Sequence, residues 1–301
     1  MRCRMRLFLL GFSFVLPLTS TALAQPELGT FTTVDFPGAI STGGGGGWTG
    51  INPRGDIVGA YASADGNYHG FLLSQGSFTS IDFPGATSTV ANGINPEGDI
   101  VGTYLVGGTF HGFLLSGDSR GPLRIRRRRR FTSIDVPGSS FTNALGINSR
   151  GDIVGRYDSA GVTHGYVFSG GEFSSIDFPD ASSTQASAIN SHGDIVGRYV
   201  SAGAIHGYVF SRGEFTSLDF PDANLTWAGG INSRGDIVGF YRTSAVHGFL
   251  LSGGEFSPID FPGVGFTQAL GINAHGDVVG LYFDVNGLAH VFLLSDNGGT
   301  E

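Results

Sequence analysis

Hydrophobic and polar residues alternate along most of the chain in short runs, and no apolar stripe of helical period interrupts them. Such runs predict strands. One stretch shows the pattern well. Residues 184–190, 194–199, 206–210 and 215–220 are four runs rich in Val, Ile, Phe, Tyr and Thr, a composition suited to a pleated, half-buried surface. Ser191-His192-Gly193 and Arg212-Gly213 separate two of the pairs with the left-handed-tolerant residues that tight hairpins need. All three connections inside the stretch are short, so the four strands are expected to form an antiparallel meander. Pro221, which cannot donate to a ladder, marks the crossing to the next unit.

The same unit recurs six times. An aspartate precedes the crossover at Asp35, Asp82, Asp135, Asp177, Asp219 and Asp260. An Asn-x-x-Gly-Asp turn ends at Asp56, Asp99, Asp152, Asp194, Asp236 and Asp277. A histidine opens the third strand at His69, His111, His164, His206, His247 and His290. A repeat of about 42 residues built from four strands predicts an all-β fold, a six-bladed β-propeller of four-stranded antiparallel blades. The segment Phe31 to Phe36 is a fourth-strand motif, while the last repeat stops after a third-strand motif, His290 to Leu294. The expectation is therefore a ring closed by pairing the N-terminal strand with the last blade. An open β-solenoid or a split sheet is the alternative, but a solenoid calls for distinct capping units.

The recurring unit Gly-Ile-Asn-x-x-Gly-Asp-Ile-Val-Gly-x-Tyr, followed by His-Gly-Phe-Leu and Phe-Thr-Ser-Ile-Asp-Phe-Pro-Gly, resembles the HAF family of extracellular bacterial repeats. The resemblance extends over essentially all of residues 25–301. It implies an exported protein of repeat architecture and brings no catalytic residues with it. The chain departs from the pattern in the run Gly43 to Gly47 and in an insertion at Arg124 to Arg130.

The first 24 residues read as a signal peptide: Arg2, Arg4 and Arg6, an apolar run from Leu7 to Leu18, and the small-residue site Ala22-Leu23-Ala24. The expected organisation is a signal peptide at 1–24 and a six-repeat β-propeller domain at 25–301, secreted or periplasmic. No transmembrane segment is expected after cleavage. Cys3 is the single cysteine and lies in the signal, so no disulfide is expected in the mature chain. All 17 basic residues are arginine, against 25 acidic ones. Seven of them cluster between Arg120 and Arg130, leaving an acidic body with one basic loop, which argues against a broad nucleic-acid surface.

Candidate chemistry is weighed against simpler roles. Six symmetric histidines cannot converge on one zinc, whose ligands lie at about 2.1 Å. Each is expected to bond a polar partner in its own blade, such as the Ile-Asp aspartate of the adjacent strand. The Asn-x-x-Gly-Asp turns lack the spacing of a calcium loop, and the Arg-Gly-Asp sequences at Arg54, Arg150 and Arg234 follow from the turn. Gly45-x-Gly47-x-x-Gly50 leads into a strand, which removes a dinucleotide reading. No metal or cofactor is assigned. The basic insertion, with Arg124, Arg126, Arg127, Arg128, Arg129 and Arg130, is a candidate anion-binding loop.

The best candidate site is where the repeats differ. Just after the threonine that opens each first strand stand Val90, Asn143, Gln185, Trp227 and Gln268, with Trp48 near the matching place. A first strand lining the channel would put Trp48, Asn143, Gln185, Trp227 and Gln268 around its mouth, where indole and amide groups suit a sugar. The expected function is an exported, non-catalytic, monomeric binding or scaffold propeller with a glycan or anionic surface partner. The alternative is a propeller enzyme acting on glycan, phosphate or lactone substrates at the same mouth.

Overall fold

A computed structural model of the chain describes residues 29–44, 48–117 and 129–295. The signal peptide read at 1–24 lies outside the described residues. The stretch used above to define the repeat forms strands Ser183–Ile189, Ile195–Ser201, Ala204–Ser211 and Glu214–Leu218. They pair in sequence order, with Thr184 opposite Tyr199, Tyr199 opposite His206, and Gly207 opposite Leu218. The strand boundaries lie within one or two residues of those read from alternation.

Two features hold one meander against the next. The Phe of each Asp-Phe-Pro stacks flat on the Tyr that ends the following second strand. Phe36 and Tyr61 lie 3.7 Å apart at 3°, and Phe178 and Tyr199 lie 3.7 Å apart at 1°. The conserved-position threonine of the inner strand fixes the crossover, because Thr184 Oγ1 accepts the Phe178 N–H at 3.0 Å and Thr226 Oγ1 accepts that of Phe220 at 2.9 Å. Each aromatic pair contributes about 0.5–1.5 kcal/mol beyond the area it buries.

The sheets correct the expectation of six separate four-stranded antiparallel blades. Hydrogen bonding divides the described strands into five sheets, of which three have four strands. The unit beginning at Ser183 and the unit beginning at Leu225 merge into one eight-stranded sheet through a parallel contact, Ile205 with Leu225. Another sheet has five strands, because the inner strand beside the glycine run is split into Ser41–Thr42 and Gly50–Ile51, both on Ile57–Ala62. Strand Thr30–Val34 pairs antiparallel with Ala289–Ser295, which completes one sheet. The expectation of a ring closed by that strand pair is corrected too, because the pairing completes one sheet and does not join it to the next. What runs around the axis is a cycle of buried side chains: the Nδ2 groups of Asn52, Asn95, Asn148, Asn190, Asn232 and Asn273 each donate to the main-chain carbonyl of the next asparagine, and Asn273 returns to Asn52.

Each unbroken inner strand carries a β-bulge near its middle, for example between Ala144 and Gly146 and between Ala186 and Ala188. The bulge turns the strand toward the axis, where backbones meet without intervening side chains. A Cβ on Gly93 would stand 2.7 Å from the Leu145 carbonyl oxygen.

Between the sheets, the residue two places after the third-strand histidine is fully buried in every repeat: Phe71, Phe113, Tyr166, Tyr208, Phe249 and Phe292. The two tyrosine hydroxyls there have no hydrogen-bond partner, and burial pushes their ionisation above the ordinary range. Tyr208→Phe removes an unsatisfied hydroxyl that four other units lack, and is expected to stabilise the fold by about 1–2 kcal/mol in urea unfolding. Destabilisation by Tyr208→Phe would show that the hydroxyl is bonded.

Candidate functional site

Most residues that suggest chemistry in the sequence are used by the fold. In each Asn-x-x-Gly-Asp turn the asparagine folds onto its own loop. Asn190 Oδ1 accepts the N–H groups of His192 and Asp194 at 2.9 and 3.0 Å, while Nδ2 donates to Asp194 Oδ2 at 3.0 Å. Ser211 Oγ donates to the other carboxylate oxygen of Asp194. Burial acts to raise the pKa of Asp194, but the bonds from Ser211 and Asn190 outweigh it and hold the carboxyl below its usual 3.8. Asp56, Asp152 and Asp236 behave alike. The Arg-Gly-Asp arginines pair with their own aspartates and reach the next unit: Arg150 bonds Asp152 at 2.9 Å and the Ser191 carbonyl at 2.9 Å. Among the described residues, no group of three or more His, Cys, Asp and Glu is placed to hold a metal ion.

The third-strand histidines bond the Ile-Asp aspartates, as expected. Nδ1–H of His69 donates to Asp82 at 2.7 Å, that of His206 to Asp219 at 3.0 Å, and that of His290 to Asp35 at 2.9 Å. Each ring also stacks on the second-strand tyrosine, with His206 5.1 Å from Tyr199.

The inner-strand residues that break the repeat tell a different story. The register sets Asn143 opposite Arg156, Gln185 opposite Arg198, Trp227 opposite Phe240, and Gln268 opposite Leu281. Directly opposed residues share a face. The candidate residues therefore each gain a partner from the second strand. The variable residue in Gly-x-Tyr supplies that partner: Ala60, Thr103, Arg156, Arg198, Phe240 and Leu281. Its variation between strictly repeated neighbours was the signal in the sequence, and the reading above did not use it.

These pairs sort by chemistry around the channel. On one side, Asn92 Nδ2 donates to Asn143 Oδ1 at 3.0 Å and to the Ala144 carbonyl at 2.9 Å, and Asn92 Oδ1 accepts the Trp48 N–H. Asn143 is 8 % exposed and is committed to this network, while Gln185 is 2 % exposed beside Arg198. On the other side, Trp48, Leu270, Phe240 and Leu281 form a buried apolar cluster against which Trp227, Phe266 and Phe283 pack. Trp48 meets Trp227 edge to face at 5.4 Å. Trp48 is thus a wall residue, whereas Trp227 and Gln268 remain half-buried. Trp227 Nε1 donates to Ser187 Oγ at 3.1 Å, and the guanidinium of Arg198 lies 4.2 Å from the Trp227 ring.

Two cavities open here. A narrow axial one of about 90 Å³ runs among Thr49, Asn92, Ser187 and the glycines of the inner strands. A larger one of about 260 Å³ is bounded by Gly44, Trp227, Phe240, Phe266, Gln268, Leu281 and Phe283. Trp48 and Leu270 line both. Of the basic insertion, Arg124, Arg126, Arg127 and Arg128 lie outside the described residues. Arg129 and Arg130 open strand Arg129–Ile134 and are exposed.

The twisted meanders around an axis define an all-β propeller. No protein-family description and no curated protein matches the chain. Solved structures of similar fold include the β-propeller domain of the Trilobed protease from Pyrococcus furiosus (14 % identity, 83 % of this chain and 81 % of that chain, TM-score 0.50). A mutant of Aleuria aurantia lectin in complex with Fucalpha1-6GlcNAc is also similar (13 %, 83 % and 92 %, TM-score 0.53). TolB from Acinetobacter baumannii matches at 15 % identity over 82 % of this chain with TM-score 0.50, and the chain spans about half of TolB, 54 %. At such identities the likeness concerns the fold.

Proposed function

We propose that the chain is an exported binding propeller that holds a glycan at the channel mouth, with residues 1–24 as its signal peptide and 25–301 as its domain. The observation that carries this reading is the mouth itself: a half-buried Trp227 and the Gln268 amide line a cavity of about 260 Å³ whose other side chains are aromatic or aliphatic, and the Arg198 guanidinium lies 4.2 Å from the Trp227 ring, outside that lining. A pyranose has an apolar C–H face and a hydroxyl edge, and it fits an aromatic lining that carries an amide. The likeness to a lectin fold in complex with a disaccharide accords with this reading.

The alternative is an enzyme at the same mouth, which for glycoside hydrolysis calls for two carboxyl groups about 5–9.5 Å apart. Among the described residues, the side chains lining the two cavities are aliphatic, aromatic, hydroxyl or amide. That lining favours recognition over acid–base chemistry.

A glycan array probed with the purified chain tests the reading. Trp227→Ala is expected to reduce binding at least about tenfold, since stacked aromatic anchors dominate such sites. The variant must retain cooperative unfolding for the comparison to count. Undiminished glycan binding by a folded Trp227→Ala would move the site away from the mouth.

A further inference from the structure

Positive charge lies beside Trp227, where a neutral sugar would leave it unused. Arg156 and Arg198 occupy equivalent positions in successive units, opposite Asn143 and Gln185. The ion-paired arginines among the described residues are Arg54, Arg150 and Arg234, all in turns. Arg198 instead lies over the Trp227 ring at 4.2 Å, and its Nε–H is buried with no hydrogen-bond partner. Burial, and then the neighbouring Arg156, bring its pKa down to about 10. Burial also lowers that of Arg156, against the pull of Asp158.

The architecture does not ask for these charges. The same position holds Ala60, Thr103, Phe240 and Leu281 in the other units. Two half-buried guanidiniums set side by side repel each other, and an unmet buried donor adds to the cost. Such a destabilised pair is typical of a binding site, where an incoming group relieves it.

We propose that Arg156 and Arg198 bind the carboxylate of an acidic sugar whose ring packs against Trp227. This rests on the glycan reading above and names the class of glycan. A planar carboxylate matches the guanidinium fork and neutralises the mutual repulsion. The aromatic wall next to the charge requires an apolar face on the same molecule, which a free inorganic anion lacks.

Calorimetric titration of the purified chain with three matched pairs tests this: trigalacturonate and its methyl ester, a glucuronate-terminated disaccharide and its glucose counterpart, and sialyllactose and lactose. The acidic member of at least one pair is expected to bind at least about tenfold tighter, with affinity falling as salt rises. Arg198→Gln and Arg156→Gln are each expected to weaken acid binding roughly 30-fold and to abolish most of the preference for the acidic member over its neutral partner. Neither should lower the unfolding midpoint, because each removes a repulsion. Equal binding of acidic and neutral members overturns the inference while the glycan reading stands. A preference for acid that survives both substitutions places the charge recognition elsewhere and also overturns it. Absence of binding to every member defeats this inference and, if the array is also blank, the glycan reading with it.

Discussion

Asn190→Ala is expected to destabilise the protein by about 3–5 kcal/mol, one of the largest losses available to a polar residue in this fold. The side chain is 4 % exposed and makes four hydrogen bonds. Three organise its own turn, and the fourth reaches the Asn232 carbonyl of the next unit. Truncation leaves the N–H groups of His192 and Asp194 and the Asn232 carbonyl without that partner, at about 1–3 kcal/mol for each group left unsatisfied away from water. It also breaks one link of the cycle around the axis, so bonds that reinforce one another are lost together. Chemical denaturation with Ser191→Ala as the comparison checks this. Ser191 is an exposed residue of the same turn, and its loss should stay within about 0.5 kcal/mol. Asn190→Asp sharpens the test. It keeps the acceptor, removes both donations, and sets a second carboxylate beside Asp194. The pKa of the new carboxyl would be raised in the folded state, so its added penalty should be greatest at neutral pH and fade as it protonates in acid. A loss under about 1 kcal/mol in Asn190→Ala would mean that the cycle does not hold the ring.

Gly197→Ala is expected to prevent folding, or to cost more than about 4 kcal/mol. The second strand passes the inner-strand bulge at Gly197, where an added Cβ would overlap the Gln185 carbonyl oxygen and stand 2.9 Å from Tyr208 Cε1. Neither neighbour can yield. The carbonyl belongs to the bulge, and Tyr208 is fully buried. Overpacking against backbone is among the few mechanisms that reach such values with one methyl group. Gly203 is the useful contrast. It sits in a loop at φ +81° with nothing within 4 Å of a Cβ, so Gly203→Ala pays only local strain of about 1 kcal/mol. Far-UV circular dichroism and thermal unfolding of the two variants decide the matter. Equal effects would show that the close approach at Gly197 is not there.

The sequence by itself determined what local chemistry controls. Period-two alternation located the strands of the unit at 183–218, since side chains of a strand alternate between faces whatever lies beyond. Asparagine and glycine at fixed offsets located the turns, because those residues satisfy the turn backbone within four or five positions. The histidine–aspartate bonds were also legible, because neighbouring strands of a meander bring residues 13 apart into contact, as in His206 and Asp219. Only the tertiary structure decided what happens between units. The bulge at Ala186 and Ala188, the merging of two units through Ile205 and Leu225, and the asparagine cycle depend on how successive units meet around an axis. No local pattern encodes that distance. The same holds for the site. Trp227 and Gln185 stood out as departures from the repeat, but their partners Phe240 and Arg198 became visible only through the bulged register that sets them face to face. Two arginines in neighbouring repeats are unremarkable as letters. The fold sets them half-buried in successive units, opposite Asn143 and Gln185, with Arg198 over the Trp227 ring.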